Sequence, residues 1–148
     1  MSNDLYVIAN KSFDVEKNLT IENLFTTNPL IYREQGSATR SAMEQFLDKN
    51  NMLRIKKIEL TSNEAVKQAV LAGLGISVMP IIGIKNELAS GDLKIISLPA
   101  FPIISAWNLI WLKNKKFSPV AQKYFDYLTE NKNKLIDKNF GWIATIHK

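Results

Sequence analysis

The chain has 148 residues, 46% of them hydrophobic, a formal charge of +5 and no cysteine, which excludes disulfide frameworks, thiolate zinc sites and cysteine nucleophiles. No apolar run approaches the roughly 18 to 20 residues of a membrane helix, and Met1-Ser2-Asn3-Asp4 lacks the basic region of a secretory signal, so a cytoplasmic protein with no membrane partner is expected. The length suits one ordinary domain or two small lobes sharing crossing segments, and the lysines are spread over Lys56-Lys57, Lys113 to Lys116 and Lys132 to Lys138, the pattern of a solvated basic surface and not of a DNA-reading helix.

Leu5 to Ile8 reads as a short strand, followed by a loop from Lys11 to Lys17. Thr20 caps one helical turn, and Asn28-Pro29 breaks the chain before a strand at Leu30 to Tyr32. Ser37 caps a helix running to about Asn50, with Met43, Phe46 and Leu47 on its buried side.

Ile55 to Leu60 alternates apolar and charged residues, as a strand covered on one face does. Thr61 and Ser62 each offer a helix cap, and Glu64 stands three residues after Thr61, as in a capping box. Val66, Ala69 and Val70 continue that helix until Gly73 stops it by accepting a left-handed conformation, while Gly75 loosens the exit. Ile76 to Met79, closed by Pro80, is then a buried parallel strand reached through a crossover helix.

Ile81 to Ala89 reads as an irregular segment and a short helix stopped by Ser90-Gly91-Asp92, with a strand at Leu93 to Leu98. Ala106 to Lys113 is apolar on both faces and predicts a central strand. Ser118-Pro119 starts a helix with a buried stripe of Ala121, Tyr124, Phe125 and Leu128 that Leu135 and Ile136 extend. Gly141 to Ile146 is open between a strand, an interface segment and a tail. Alternating strands and helices make the fold class α/β with a mostly parallel sheet.

Two motifs carry a resemblance. Pro29-Leu30-Ile31-Tyr32-Arg33-Glu34-Gln35-Gly36-Ser37-Ala38-Thr39-Arg40 joins a strand to a polar helix start, and Glu59 to Pro80 joins strand, polar cap, helix and a Gly-Leu-Gly-Ile run ending in proline. Together they resemble the effector-binding domain of LysR-type transcriptional regulators. The resemblance implies a type II periplasmic-binding-protein-like fold of two Rossmann-like lobes with crossing strands and an effector held in the cleft. On that pattern residues 1–9 are a crossing strand, 10–90 the complete second lobe, 91–131 the return crossing strand and the remaining part of the first lobe, and 132–148 an unassigned extension. The family's winged helix-turn-helix, linker helix and first half of the first lobe would precede Met1, so an excised fragment or a truncated reading frame is expected.

The helix starts at Ser37, Thr39 and Arg40 and at Thr61, Ser62 and Asn63, together with Arg33, are the candidate effector-binding residues, because hydroxyl, amide and guanidinium groups there can converge on a carboxylate-bearing, anionic ligand. Plain capping competes as an explanation for Ser37, Thr61 and Ser62, and a solvated ion pair for Arg33 and Glu34. Trp107, Trp111 and Trp142 read as core residues, His147 as a tail residue with no metal or triad partner, and Gly73-Leu74-Gly75 as a helix end and not a nucleotide fingerprint. No catalytic residue, metal or cofactor is expected. The leading function is effector binding in a regulator that touches DNA only through another domain and pairs as a homodimer or higher homo-oligomer. A solute-binding protein of the same fold is the alternative, and an enzyme lacks a nucleophile and base pair.

Overall fold

The computed structural model describes residues 1–15, 19–52 and 55–146. The expectations for His147 and for the end of the Lys11 to Lys17 loop lie outside them. The elements are β1 (Leu5–Asn10), α1 (Ile21–Thr27), β2 (Leu30–Arg33), α2 (Ala38–Lys49), β3 (Lys57–Leu60), α3 (Asn63–Leu71), β4 (Ile76–Pro80), α4 (Lys85–Ser90), β5 (Leu93–Ile95) and α5 (Pro119–Phe140). Short 3-10 turns at Ile81–Ile84 and Gly141–Thr145 precede α4 and follow α5. Two compact units result, residues 2–105 and residues from Ala106 onward with Met1.

In residues 2–105 the sheet runs β3-β2-β4-β1-β5. β2 pairs in parallel with both β3 and β4, whereas β1 is antiparallel to β4 and β5. Four strands therefore point one way and β1 alone runs against them, so the sheet is mixed and mostly parallel. The predicted strand from Leu93 to Leu98 is shorter than expected, although Ile96 still donates its amide to the Val7 carbonyl at 2.9 Å and is buried with Leu98.

Alternation along the strands divides the core between two faces. Leu5, Val7, Ala9, Leu30, Tyr32, Ile76 and Val78 pack with Leu24 and Phe25 of α1 and Met43 and Leu47 of α2. The intervening Ile8, Ile31, Ser77 and Met79 point to the other side, where α3 lies against β1, β2 and β4 with Val66 and Val70 buried. The expected buried side of α2 is thus present.

Two glycines shape the α3 to β4 exit. Gly73 has φ +76°, with its amide bonded to the Val70 carbonyl at 2.9 Å and the Leu74 amide to the Ala69 carbonyl at 3.1 Å, the paired bonds of a left-handed helix end. Gly75 acts by size instead. A Cβ there would stand 2.2 Å from the Pro29 carbonyl oxygen, the same oxygen that accepts the Ile76 amide at 3.0 Å and starts the β2–β4 pairing. Its role is close backbone approach, not the looser exit expected from sequence.

The α3 cap also differs from expectation. Ser62 is the cap, its hydroxyl accepting from the Ala65 amide at 3.0 Å, and Glu64 bonds forward to Gln68 and Lys67. The Thr61–Glu64 capping box is therefore absent, because Thr61 lies one residue too early to reach the first free amides.

In the second unit Ser118 caps α5 as expected, with Pro119 in its first turn, but the buried stripe is not formed: Tyr124 is 62% exposed and no α5 residue is buried. The predicted central strand from Ala106 to Lys113 is likewise not formed. Trp107 exchanges backbone bonds with Met1 at 2.9 and 3.2 Å, but from Asn108 to Leu112 no strand pairs among the described residues, and an unpaired strand leaves its backbone groups to water. Trp107 (55%) and Trp111 (53%) are consequently exposed instead of core. Trp111 meets the Phe125 ring edge-on at 5.0 Å, and Phe117 stacks obliquely on Phe125 at 5.6 Å.

Candidate functional site

β2 and β3 lie side by side with Arg33 opposite Leu60, so α2 and α3 both leave from the carboxyl ends of neighbouring parallel strands. The chain passes from β2 to β3 on one side and then back across β2 to β4, with α2 and α3 on opposite faces. The β2–β4 boundary is therefore the point at which strand order reverses, and a crevice opens there beyond the strand ends.

A narrow cavity occupies this place. It is lined by Tyr32 and Arg33 of β2, Thr39, Arg40 and Met43 of α2, Asn63 and Val66 of α3, and Ser77, Val78 and Met79 of β4. Its volume of about 10 Å³ suits roughly one water molecule. Ser77 is 1% exposed and donates its hydroxyl hydrogen to the Ile31 carbonyl at 2.7 Å, which satisfies the polar group in the wall.

The two guanidinium groups are held differently. Arg33 points Nε and Nη2 at the two Glu34 carboxylate oxygens, both at 2.7 Å, and donates from Nη1 to Asn63 Oδ1 at 2.6 Å. This bond ties the end of β2 to the start of α3. Arg40 donates from Nε to Glu44 at 2.8 Å and from Nη1 to Glu59 at 2.7 Å and the Arg33 carbonyl at 3.3 Å, with its guanidinium 4.7 Å from the Tyr32 ring centre. It thus links α2 to the edge strand β3.

These contacts set the charges. The Arg33 hydrogen bond holds the Glu34 carboxyl well below the usual range, at about 2, and the Glu34 bond in turn raises Arg33. Arg40 is raised by its bond to Glu44 first, and by Glu59 as well. Glu34 is therefore held as a carboxylate, and Arg33 and Arg40 as guanidinium cations, near neutral pH.

Of the residues expected at the site, Arg33, Thr39, Arg40 and Asn63 line one cavity. Ser37 and Ser62 do not line it. They serve as caps, the Ser37 hydroxyl accepting from the Arg40 amide at 3.5 Å. Thr61 is exposed and outside the lining. Sequence reasoning did not single out Tyr32 and Ser77, and marked Glu34 only as the neighbour of Arg33, although Ser77 is the one polar residue within the apolar run Ile76 to Met79. A wider open groove of about 830 Å³ lies by Leu19, Thr20, Glu22, Asn50, Asn51 and Met52, and holds none of the expected residues. Among the described residues no group of three or more His, Asp or Glu side chains is placed to hold a metal, and no helix is long and apolar enough to cross a membrane.

Comparison with known proteins bears on this arrangement. Residues 1–133 match the family model of the LysR substrate binding domain. The chain is 40% identical over 130 residues to the HTH-type transcriptional activator CmpR of Synechocystis sp., covering 86% of this chain and 42% of CmpR. It is 37% identical over 127 residues to a RuBisCO operon transcriptional regulator of Acidithiobacillus ferrooxidans, covering 85% of this chain and 41% of that protein. The chain thus spans less than half the length of these relatives, both of them transcription regulators. Among solved structures, the regulatory domain of CcmR from Synechocystis in complex with 2-PG superposes with a TM-score of 0.75 at 34% identity, over 86% of this chain and 62% of that one. The fold is the periplasmic-binding-protein-like α/β fold of such regulatory domains.

Proposed function

Because this chain belongs to the LysR substrate binding domain family, we propose that it is the effector-binding part of a LysR-type regulator, taking a small anionic metabolite at the carboxyl ends of β2 and β4. Residues 10–90 act as one lobe, entered by the crossing strand of residues 1–9 and left by the return strand after residue 91. Residues 91–131 contribute to the facing lobe, and the ligand lies in the cleft between lobes. Binding biases the regulator only through unequal affinity for its two states, and a DNA-binding domain outside this chain reads out the change in the cytoplasm. No catalytic step is assigned, since the relatives are regulators.

The observation that carries this reading is the convergence of Arg33, Thr39, Arg40 and Asn63 on one cavity at the reversal of strand order. The CcmR domain solved with 2-PG supplies the probe. Titration calorimetry of the chain with 2-PG is expected to show binding that falls by roughly tenfold or more in Arg33→Gln and in Asn63→Ala, since each removes a polar contact of about 1.5 to 3 kcal/mol where charge is involved. Thr61→Ala should bind as the parent does. Binding untouched by both of the first two changes would place the ligand elsewhere.

The exposed apolar side chains of the second unit favour self-association as well. Leu109, Ile110, Trp111 and Leu112 lie together in sequence, exposed on a segment with no strand partner among the described residues, and such an exposed apolar run favours association. A homodimer or higher homo-oligomer through this segment and α5 is part of the proposal.

A further inference from the structure

We propose that Glu34 is the specificity-determining residue of this site, an internal carboxylate that holds the Arg33 fork and that an anionic ligand must displace. The inference rests on the effector-site reading above and adds to it the manner in which the ligand enters.

A guanidinium has five N–H donors. In Arg33 three are engaged, and the two that form the parallel, carboxylate-shaped face, Nε and Nη2, are both on Glu34 at 2.7 Å. The remaining contact, Nη1 to Asn63 at 2.6 Å, fixes the direction of the fork independently of Glu34. Arg33 is the last residue of β2 and Glu34 follows it directly, so the internal carboxylate stands at high effective concentration and closes the fork without ordering a distant segment. Both side chains are partly exposed, at 21% and 34%, which leaves room for exchange with solvent or a solute.

Arg40 cannot replace Arg33 in this role. Its Nε and Nη1 are spent on Glu44 and Glu59, on two different elements, and its side chain is only 16% exposed. Three carboxylates, two guanidiniums and the Lys57 ammonium, 5.8 Å from the Tyr32 ring centre, meet near this edge, so an anion reaches the Arg33 fork only when the carboxylate already on it moves aside. Glu34 is the one whose departure uncovers a complete bidentate face beside Asn63 and Thr39. A ligand that offers only a single weak charge gains nothing by the exchange. A small oxyanion, carboxylate or phosphate, that fills the fork and also reaches the Asn63 amide or the Thr39 hydroxyl does gain.

The test compares Glu34→Gln with the parent chain by calorimetric titration with inorganic phosphate and with acetate, at low ionic strength. Removal of the competing carboxylate is expected to tighten binding of one or both anions by roughly tenfold or more, and the larger gain identifies the group the fork prefers. The added Arg33→Gln change should abolish that gain. If phosphate binds the parent chain and is lost in Asn63→Ala, yet Glu34→Gln binds it no more tightly, the site stands and the role of Glu34 is refuted. If neither anion binds any variant, both the role and the anionic site fail. Should Glu34→Gln lose its fold by circular dichroism, Glu34→Asp, one methylene too short to hold both donors, gives the same decision: tightening supports displacement, and affinity equal to the parent overturns it.

Discussion

Gly75→Ala provides a demanding test of how the α3 to β4 exit is built. The added methyl would stand 2.2 Å from the Pro29 carbonyl oxygen, 3.0 Å from the Pro29 carbonyl carbon and 3.2 Å from its Cβ, so the obstruction is chiefly backbone and cannot swing away. Relief requires β4 to move from the end of β2, which breaks the 3.0 Å bond from the Ile76 amide to Pro29 and loosens the Leu30–Ile76 and Ile31–Ser77 pairs behind it. Overpacking costs about 1 to 3 kcal/mol, and a weakened hydrogen bond about 1 kcal/mol more. The sum is about 2 to 4 kcal/mol, or a fall in melting midpoint of roughly 8 to 16 °C at about 4 °C per kcal/mol. Gly91→Ala is the control, since Gly91 has φ +75° and a methyl added there would meet nothing within 4 Å, so only backbone strain of about 1 kcal/mol applies. Urea and thermal unfolding followed by circular dichroism should rank Gly75→Ala clearly below Gly91→Ala. Equal or reversed losses would show that the close approach does not govern this junction.

Two other outcomes are expected. The Glu34 carboxyl should titrate at about 2, below its ordinary value of 4.5, because Arg33 bonds to the charged form; its folded value is depressed, so the stability it contributes is present above about 4.5 and fades as pH falls towards 2. A carbon-detected NMR titration checks this, with Arg33→Gln restoring the ordinary range, and a Glu34 midpoint near 4.5 in the parent chain would refute the fork. Light scattering over a range of concentrations should give a mass above 16.8 kDa that falls towards it in Trp111→Ser with Ile110→Ser, and a monomer at every concentration would refute association through that segment.

The legible parts of the fold were those whose chemistry is local. Ser37, Ser118 and Thr20 cap helices because a short hydroxyl side chain reaches the free amides of the first turn, which depends on four consecutive residues and nothing else. Gly73 ends α3 for an equally local reason. The failures were non-local. Ala106 to Lys113 has the apolar faces of a central strand, but a strand exists only with a neighbour, and which segment supplies one is not written in those eight residues. The buried stripe of α5 failed in the same way, since amphipathic spacing says which face seeks cover and not whether cover is there. Gly75 shows the opposite error. Its importance comes from Pro29, far away in sequence, so reading it as a loosened helix exit missed a contact between strands.

The candidate site was half legible for a related reason. Polar helix starts after parallel strands marked one edge of the sheet, and Arg33, Thr39, Arg40 and Asn63 line a cavity there. Sequence alone could not separate them from Ser37, Thr61 and Ser62, because a hydroxyl that bonds its own helix and one that faces a cavity have the same spacing. Nor could it show that the cations come already paired. Arg33 and Glu34 are adjacent, and neighbours along a strand point to opposite faces; only because β2 ends at Arg33 can the two side chains meet as a fork. The same strand ending that delivers Arg33 to the cavity therefore delivers its competitor, so the effector reading and the displacement of Glu34 depend on one geometric fact.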